Sequence, residues 1–452
     1  MAVKHSGAAP ALSPARNPVS AAKRLRIIQA MPLSLFQKTS KNPDAAQKHA
    51  ANPSRLSNAE LFIIACNFLM LGLFSQFKLS SDSASYLQHS MLRSPGYPLL
   101  LDVLTKVFPD LAYAATVILQ TSAVMCAAFF LSKVLKKHFN LPDPLFVFCD
   151  MLLLSPVASG RAALIGPEAF MYAAVLTAAG FIIKDIFEET QHNFSRAVSI
   201  TFIGCLMKPQ TAFMYPVIAL FAFIRARETR TWKKLAGTLS AILVAVCLTG
   251  ISERAYNLHF NKNFTDCGFG HFHMFATLAH FAGPEDVAAL SLPEDKYVMQ
   301  KVLDYIGKPD MSAKYDEDIY SPLLWHSLST FMPDAEKQNP QEARYRERIF
   351  VSRVWPKLMK NHAPEFFKFV AGKFVLGLSY GYYLFFVAGL WIIAKSKDGK
   401  LRKFMLLGIA MAVMNHLIIS MLTVVRDRYS FATTVLFSPF ILIAVWRTSA
   451  HD

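Results

Sequence analysis

The chain is short of charge. Asp, Glu, Lys and Arg make up 17% of its 452 residues, where a soluble domain averages about 25%. That shortage excludes an ordinary water-soluble protein. Cysteine is also scarce, with six in all. Cys66, Cys126, Cys149, Cys205 and Cys247 fall in apolar runs, and Cys267 alone lies in a polar stretch. No exposed pair is set for a structural disulfide. No apolar core of about 7–15 residues precedes a small-residue cleavage site near the N-terminus, so no secretory signal is expected. The internal repeats of many transporters are missing as well.

What the chain has is apolar length. Hydrophobic residues are 53% of it, and several runs approach the roughly 20 residues that cross a bilayer. The runs are continuous, without two-residue alternation, which selects helices over a barrel. The fold expected is an all-α polytopic membrane protein with about ten transmembrane helices and an extracytoplasmic loop region. The spans fall near 59–77, 112–131, 144–160, 164–183, 197–207, 210–224, 235–252, 375–394, 404–424 and 430–446. The fifth and sixth meet at Lys208-Pro209, as two half-length helices or one broken helix.

Lys and Arg orient the chain. The short loops at 132–143, 184–196, 225–234 and 395–403 hold roughly twice as many as the opposite short loops. This puts both termini in the cytoplasm and the long segment 253–374 outside. The net charge of +16 follows from this basic face and from contact with anionic lipid, so nucleic acid is not expected as a partner. Four regions result: a disordered basic tail at 1–55, an N-terminal membrane region at 56–252, an extracytoplasmic region at 253–374 and a C-terminal membrane region at 375–452. The outer region is too large for a connector and is expected to act as a lid or acceptor-recognition element. Its stretch 282–345 is rich in Pro and lacks a long amphipathic pattern. His259, His271, His273 and His280 match no firm metal-ligand spacing, so surface or hydrogen-bonded histidines are expected. No cofactor or metal is called for.

Charges at span ends gather on the outer side. Asp82 and Arg93 follow the first span, and Arg161 and Glu168 flank a tight turn between the third and fourth. Lys208 sits at the break, and Arg426, Asp427 and Arg428 lie between the last two spans. Any one of them usually snorkels to headgroups or pairs with a neighbour. As a set they mark function, because ionisable residues at membrane depth are costly. Several cations on one rim fit a phosphate or diphosphate, and a lone aspartate beside them fits a general base.

These residues carry a resemblance. A first span leads into Asp-x-x-x-Tyr (Asp82 to Tyr86) and Arg-x-Pro-Gly-Tyr-Pro (Arg93 to Pro98). A Glu opening a mid-chain span, a Lys-Pro break, a long outer loop and a late Arg-Tyr (Arg428-Tyr429) follow. Over residues 59–446 the chain resembles the GT-C superfamily of membrane glycosyltransferases, most of all the branch of aminoarabinose transferases and protein O-mannosyltransferases. The resemblance implies a polyprenyl-phosphate-linked sugar as donor and a lipid, glycan or protein as acceptor. It implies Asp82 as catalytic base, and Lys208, Arg426, Arg428 and Arg93 as ligands of the donor phosphate. Tyr86, Tyr97, Arg161, Glu168 and Tyr429 are supporting residues, and the location is a cell membrane, the bacterial inner membrane. Ser83 departs from the acidic residue that many members place after the Asp, and no Pro accompanies Arg428-Tyr429. A flippase or transporter, and a polysaccharide polymerase or ligase, are the rival readings. A transporter predicts charges at mid-span and repeated halves, and the sequence has few of the first and none of the second.

Overall fold

The computed structural model describes residues 56–74, 76–79, 82–188, 192–267, 269–306, 328–333, 340–376, 378, 380–422 and 427–449. The tail expected at 1–55 lies outside the described residues. Residues 58–452 form one compact unit. It is all-helical. Among the described residues the single extended pairing is an isolated bridge between Lys78 and Leu164.

Five helices are long and apolar enough to cross a membrane: Ala112–Phe139, Glu168–Glu188, Trp232–Asn261, Gly399–Met421 and Ala432–Ser449. The chain is thus a multi-pass membrane protein. Shorter apolar helices cover Asn58–Leu73, Asn193–Met207 and Gly381–Lys395. The apolar run at 144–160 divides at Leu153-Leu154 into helices Asp143–Leu153 and Ser155–Ala158. An 11-residue helix is about 16 Å long, roughly half a hydrocarbon core.

In chain order the helices are α1 (Asn58–Phe74), α2 (Ser83–Leu87), α3 (Gly96–Val107), α4 (Ala112–Phe139), α5 (Asp143–Leu153), α6 (Ser155–Ala158), α7 (Glu168–Glu188), α8 (Asn193–Met207), α9 (Met214–Thr229) and α10 (Trp232–Asn261). Then come α11 (Phe269–Ala279), α12 (Pro284–Ala289), α13 (Pro293–Ile306), α14 (Pro340–Leu376), α15 (Tyr380–Lys395), α16 (Gly399–Leu422) and α17 (Asp427–Ser449).

Helix α7 is the centre of the bundle. Of its apolar window 72% is buried, against 11% for α10, which is therefore peripheral. Lipid gives helices no hydrophobic reason to associate, so small residues that allow close packing matter most. On α7 these are Ala173, Ala174, Ala178, Ala179 and Gly180. A Cβ on Gly180 would stand 2.5 Å from the Phe130 ring, and one on Gly204 of α8 would stand 2.9 Å from Ala174 Cβ.

One end of the bundle is laced by ion pairs. Lys133 meets Glu60, Lys137 meets Glu188, Lys403 meets Glu228 and Arg447 meets Asp398. These pairs gather all four of the basic short loops at that end.

The region after α10 has its own core. Phe275, Val298, Met299, Val302, Phe350, Val354, Leu358 and Phe366 are buried together. Helix α10 itself runs to Asn261, past the span end at 252. The stretch read as lacking an amphipathic pattern contains α13, 14 residues with Val298, Met299 and Val302 on its buried side. Pro293 at its first turn and the acidic Glu294 and Asp295 suit a helix start. Arg353 of α14 fixes it through Asp295, with Nε and Nη2 donating to the two carboxylate oxygens.

Helix α14 kinks at His362, whose backbone leaves the helical region. Pro364 cannot donate to the turn before it, which opens the helix there. Asp286 holds the kink: its carboxylate accepts from Asn361 Nδ2 at 2.8 Å, from Gly283 N–H at 2.9 Å and pairs with His362 Nε2 at 2.8 Å. Burial opposes the charge of Asp286, but these donors and the His362 ring keep its carboxyl below the usual range.

Of the surface or hydrogen-bonded histidines expected, His273 is not at the surface: it is 6% exposed. Burial first, and the Lys373 charge second, lower its pKa to about 3. An unfolded chain takes up that proton near pH 6.5. The folded state is therefore favoured above pH 6.5 and loses stability as pH falls from there towards 3. Replacing His273 by Phe should remove that part of the loss, on the order of a few kcal/mol by pH 4. Pulse proteolysis in detergent at pH 7.5 and pH 4 checks it, and parallel pH curves for both proteins would refute it.

Candidate functional site

The residues after α1 lie along the turn that precedes α7. Lys78 N–H donates to Ala163 O, and Ile165 N–H donates to Lys78 O, both at 2.9 Å. Ser83 Oγ then donates to Ile165 O at 2.7 Å. These bonds bring the first loop beside the Arg161–Glu168 turn although some 80 residues separate them.

Asp82, Ser85 and Tyr86 share one side of the short helix α2, as the spacing i, i+3, i+4 requires. Arg93 returns across that side. Its Nη2 donates to Asp82 Oδ1 at 2.9 Å, its Nε to Ser85 Oγ at 2.8 Å and its Nη1 to Tyr86 OH at 3.2 Å. The guanidinium also lies 4.5 Å from the centre of the Tyr86 ring. This is the planar fork that only arginine offers.

Behind Tyr86 stands Tyr97, edge-on at 5.2 Å. It is fully buried, and its hydroxyl donates to Gln120 Oε1 at 2.6 Å. Gln120 Nε2 donates in turn to Ala162 O and Leu164 O. Burial, reinforced by the Glu168 carboxylate and Tyr86, pushes the Tyr97 hydroxyl far above its ordinary pKa, so it stays a donor.

Gly96 has a packing reason. A Cβ there would sit 2.8 Å from Leu206 O and 2.9 Å from Leu206 C, both backbone atoms of α8. Gly96→Ala should therefore destabilise by about 1–3 kcal/mol. A thermal shift in detergent reads this, and an unchanged midpoint would refute the close approach.

Lys208 ends α8. The following Pro209 disfavours a helical conformation at the residue before it, and Lys208 is extended, with φ −148° and ψ 115°. Its Nζ donates to Glu168 Oε1 at 2.7 Å. Glu168 is the first residue of α7, where the positive end of the helix favours a carboxylate.

Asp82, Tyr86, Arg161 and Glu168 line one cavity of about 210 Å³, with Met171 and Tyr172 on its wall. Pockets for drug-sized ligands measure roughly 300–1,000 Å³, so this one has room for a small head group and not for a lipid chain. Two corrections follow. Asp82 is not a lone carboxylate, because Glu168 faces the same space. The rim cations are not simply displayed, because Arg93 is bound to Asp82 and Lys208 to Glu168.

The structure thus places Asp82, Tyr86, Arg161 and Glu168 on one cavity, with Arg93 bound to Asp82, Tyr97 behind Tyr86 and Lys208 bound to Glu168. Arg426 lies outside the described residues, as do the side chains of Arg428 and Tyr429. Gln120 was not foreseen, although a glutamine inside an apolar run at membrane depth is itself a signal. Ser85 carried no signal beyond its spacing from Asp82. Among the described residues no group of three or more His, Cys, Asp or Glu side chains could hold a metal. No family model, curated protein or solved structure matches the chain.

Proposed function

We propose that this chain is a membrane glycosyltransferase. It moves a sugar from a polyprenyl-phosphate donor to an acceptor hydroxyl or amine on the extracytoplasmic side. The observation that carries the reading is the small cavity lined by Asp82, Glu168 and Arg161, with Arg93 and Lys208 bound to its two carboxylates. A space of that size faced by two carboxylates suits a sugar, and cations beside those carboxylates suit a phosphate.

Asp82 takes the proton of the acceptor as the acceptor oxygen or nitrogen bonds to the anomeric carbon. The bond from that carbon to the phosphate oxygen breaks in the same inverting displacement. Negative charge grows on the departing lipid phosphate, and Lys208 offsets it. Fixed donors aimed at developing charge are effective because they need no reorganisation. Arg426, just before α17, and Arg428, in its first turn, complete the phosphate site in this reading. In this reading the chain makes ten crossings, the further five being α1, α5 together with α6, α8, α9 and α15, with both termini in the cytoplasm.

The test is reconstitution of the full chain in liposomes with polyprenyl-phosphate and polyprenyl-diphosphate sugars. Release of lipid phosphate from the monophosphate donor, dependent on added acceptor, is the expected result. Turnover of the diphosphate donor alone would move the chain to the polymerase or ligase class. No release from either would remove the transferase reading.

A further inference from the structure

A groove of about 320 Å³ lies between α8, α9 and α10, roofed by the start of α11. It is separate from the Asp82 cavity. Tyr215, Val246 and Thr249 form its wall, and Arg254, Asp266 and His271 stand at its rim. Helix α10 is the least buried of the five spanning helices. It turns Leu243, Val244 and Ile251 outward, each more than half exposed. The groove therefore opens towards lipid. Its rim begins where the apolar run of α10 ends, at the depth of headgroups.

The rim is built for an anion. Arg254 Nη2 donates to Asp266 Oδ2 at 3.3 Å, and Arg348 pairs with the other oxygen of the same carboxylate. Two guanidinium groups thus share one carboxylate. The nearby Glu253 does not relieve them. Its oxygens accept from Cys267 N–H, Cys267 Sγ and Ser94 Oγ. Arg348 is 7% exposed and stands behind Asp266, outside the groove's lining, so it adds positive charge there without opening onto the groove. A guanidinium fork such as that of Arg254 matches a phosphate.

We propose that this groove binds an anionic phospholipid of the adjoining leaflet, its phosphate at Arg254, with the Arg348 charge behind Asp266 supporting it, and an acyl chain along Val246 and Thr249. A free phosphate would have no use for the apolar wall, and a neutral lipid none for two arginines sharing one carboxylate. The groove also adjoins the two cations bound to the carboxylates of the Asp82 cavity. Pro209 lines the groove next to Lys208, and the Glu253–Ser94 contact adjoins Arg93. The bound lipid is thus placed to steady both cations. The inference requires only a membrane protein and stands apart from the transferase reading.

The experiment uses the purified full chain, delipidated in detergent, with phosphatidylglycerol, phosphatidylcholine and polyprenyl phosphate as probes. Native mass spectrometry should show phosphatidylglycerol retained about fivefold more tightly than phosphatidylcholine, as one interfacial arginine would give. A photoreactive acyl chain should label peptides within 205–215 or 246–271. Arg254→Gln should bring retention of phosphatidylglycerol down to that of phosphatidylcholine. Thr249→Trp should block the chain while keeping every charge, and so separates loss of the site from loss of the fold. Equal retention of the two phospholipids overturns the proposal, as does labelling confined to other segments. Displacement of the label by polyprenyl phosphate at lower concentration than by phosphatidylglycerol also overturns it, since the groove would then belong to a prenyl chain.

Discussion

Asp82→Asn should lower the rate of transfer by about 10²–10⁴, the usual worth of a general base, while the protein still inserts and binds donor lipid. The amide keeps the shape of the carboxylate but cannot accept a proton at neutral pH. It also changes what Arg93 meets. Nη2 now donates to Asp82 Oδ1 at 2.9 Å, and an asparagine can still offer its carbonyl oxygen there. The bonds from Arg93 to Ser85 and Tyr86 remain, so the first loop should keep its conformation. This separates chemistry from structure. The variant should show a donor Kd and a thermal midpoint close to those of the unaltered chain, with the loss confined to turnover. Activity within about tenfold of the unaltered chain would remove Asp82 from the base role. Glu168 would then be the carboxylate to test, since it faces the same cavity.

Local rules made part of this site legible. Asp82, Ser85 and Tyr86 are one helical turn, and Arg93 is seven residues beyond Tyr86, so their meeting is a short-range event. Glu168 was read as opening or preceding a helix, and it opens α7. Lys208-Pro209 was read as a break, and α8 stops there. What stayed hidden depends on contacts distant in sequence. The Glu168–Lys208 pair spans 40 residues, and the Ser94–Glu253 contact spans 159. No spacing rule reaches that far. The glycine in Arg-x-Pro-Gly-Tyr-Pro is required by the backbone of α8, far along the chain. The outer region was legible only in part. Its helix α13 is only 14 residues and buries a narrow stripe, which Pro and charge on either side obscure in the sequence. His273 likewise reads as polar, and only the packing of α11 against α14 and α16 makes it a core residue.

Lys208 makes the second large prediction, and Glu168 gives it a sign that a purely structural ion pair would not. In the ligand-free protein the ammonium is bound to Glu168 at 2.7 Å, with the Lys208 side chain 12% exposed and that of Glu168 33% exposed. A donor phosphate must share or replace that partner. Lys208→Met should therefore lower transfer by about 10²–10³, as loss of one electrostatic donor does elsewhere, and should weaken polyprenyl phosphate far more than neutral polyprenol. Glu168→Gln should act the opposite way on binding. With its competitor neutral, the ammonium is freer for phosphate, and affinity for polyprenyl phosphate should rise by about tenfold, equivalent to about 1.4 kcal/mol. The double variant should bind as weakly as Lys208→Met, because the gain exists only through Lys208. Isothermal titration with the phosphate and the alcohol, on all four proteins, measures the coupling directly. If Glu168→Gln weakens phosphate and alcohol alike, the pair merely joins α7 to the end of α8, and the phosphate must be sought elsewhere on the rim.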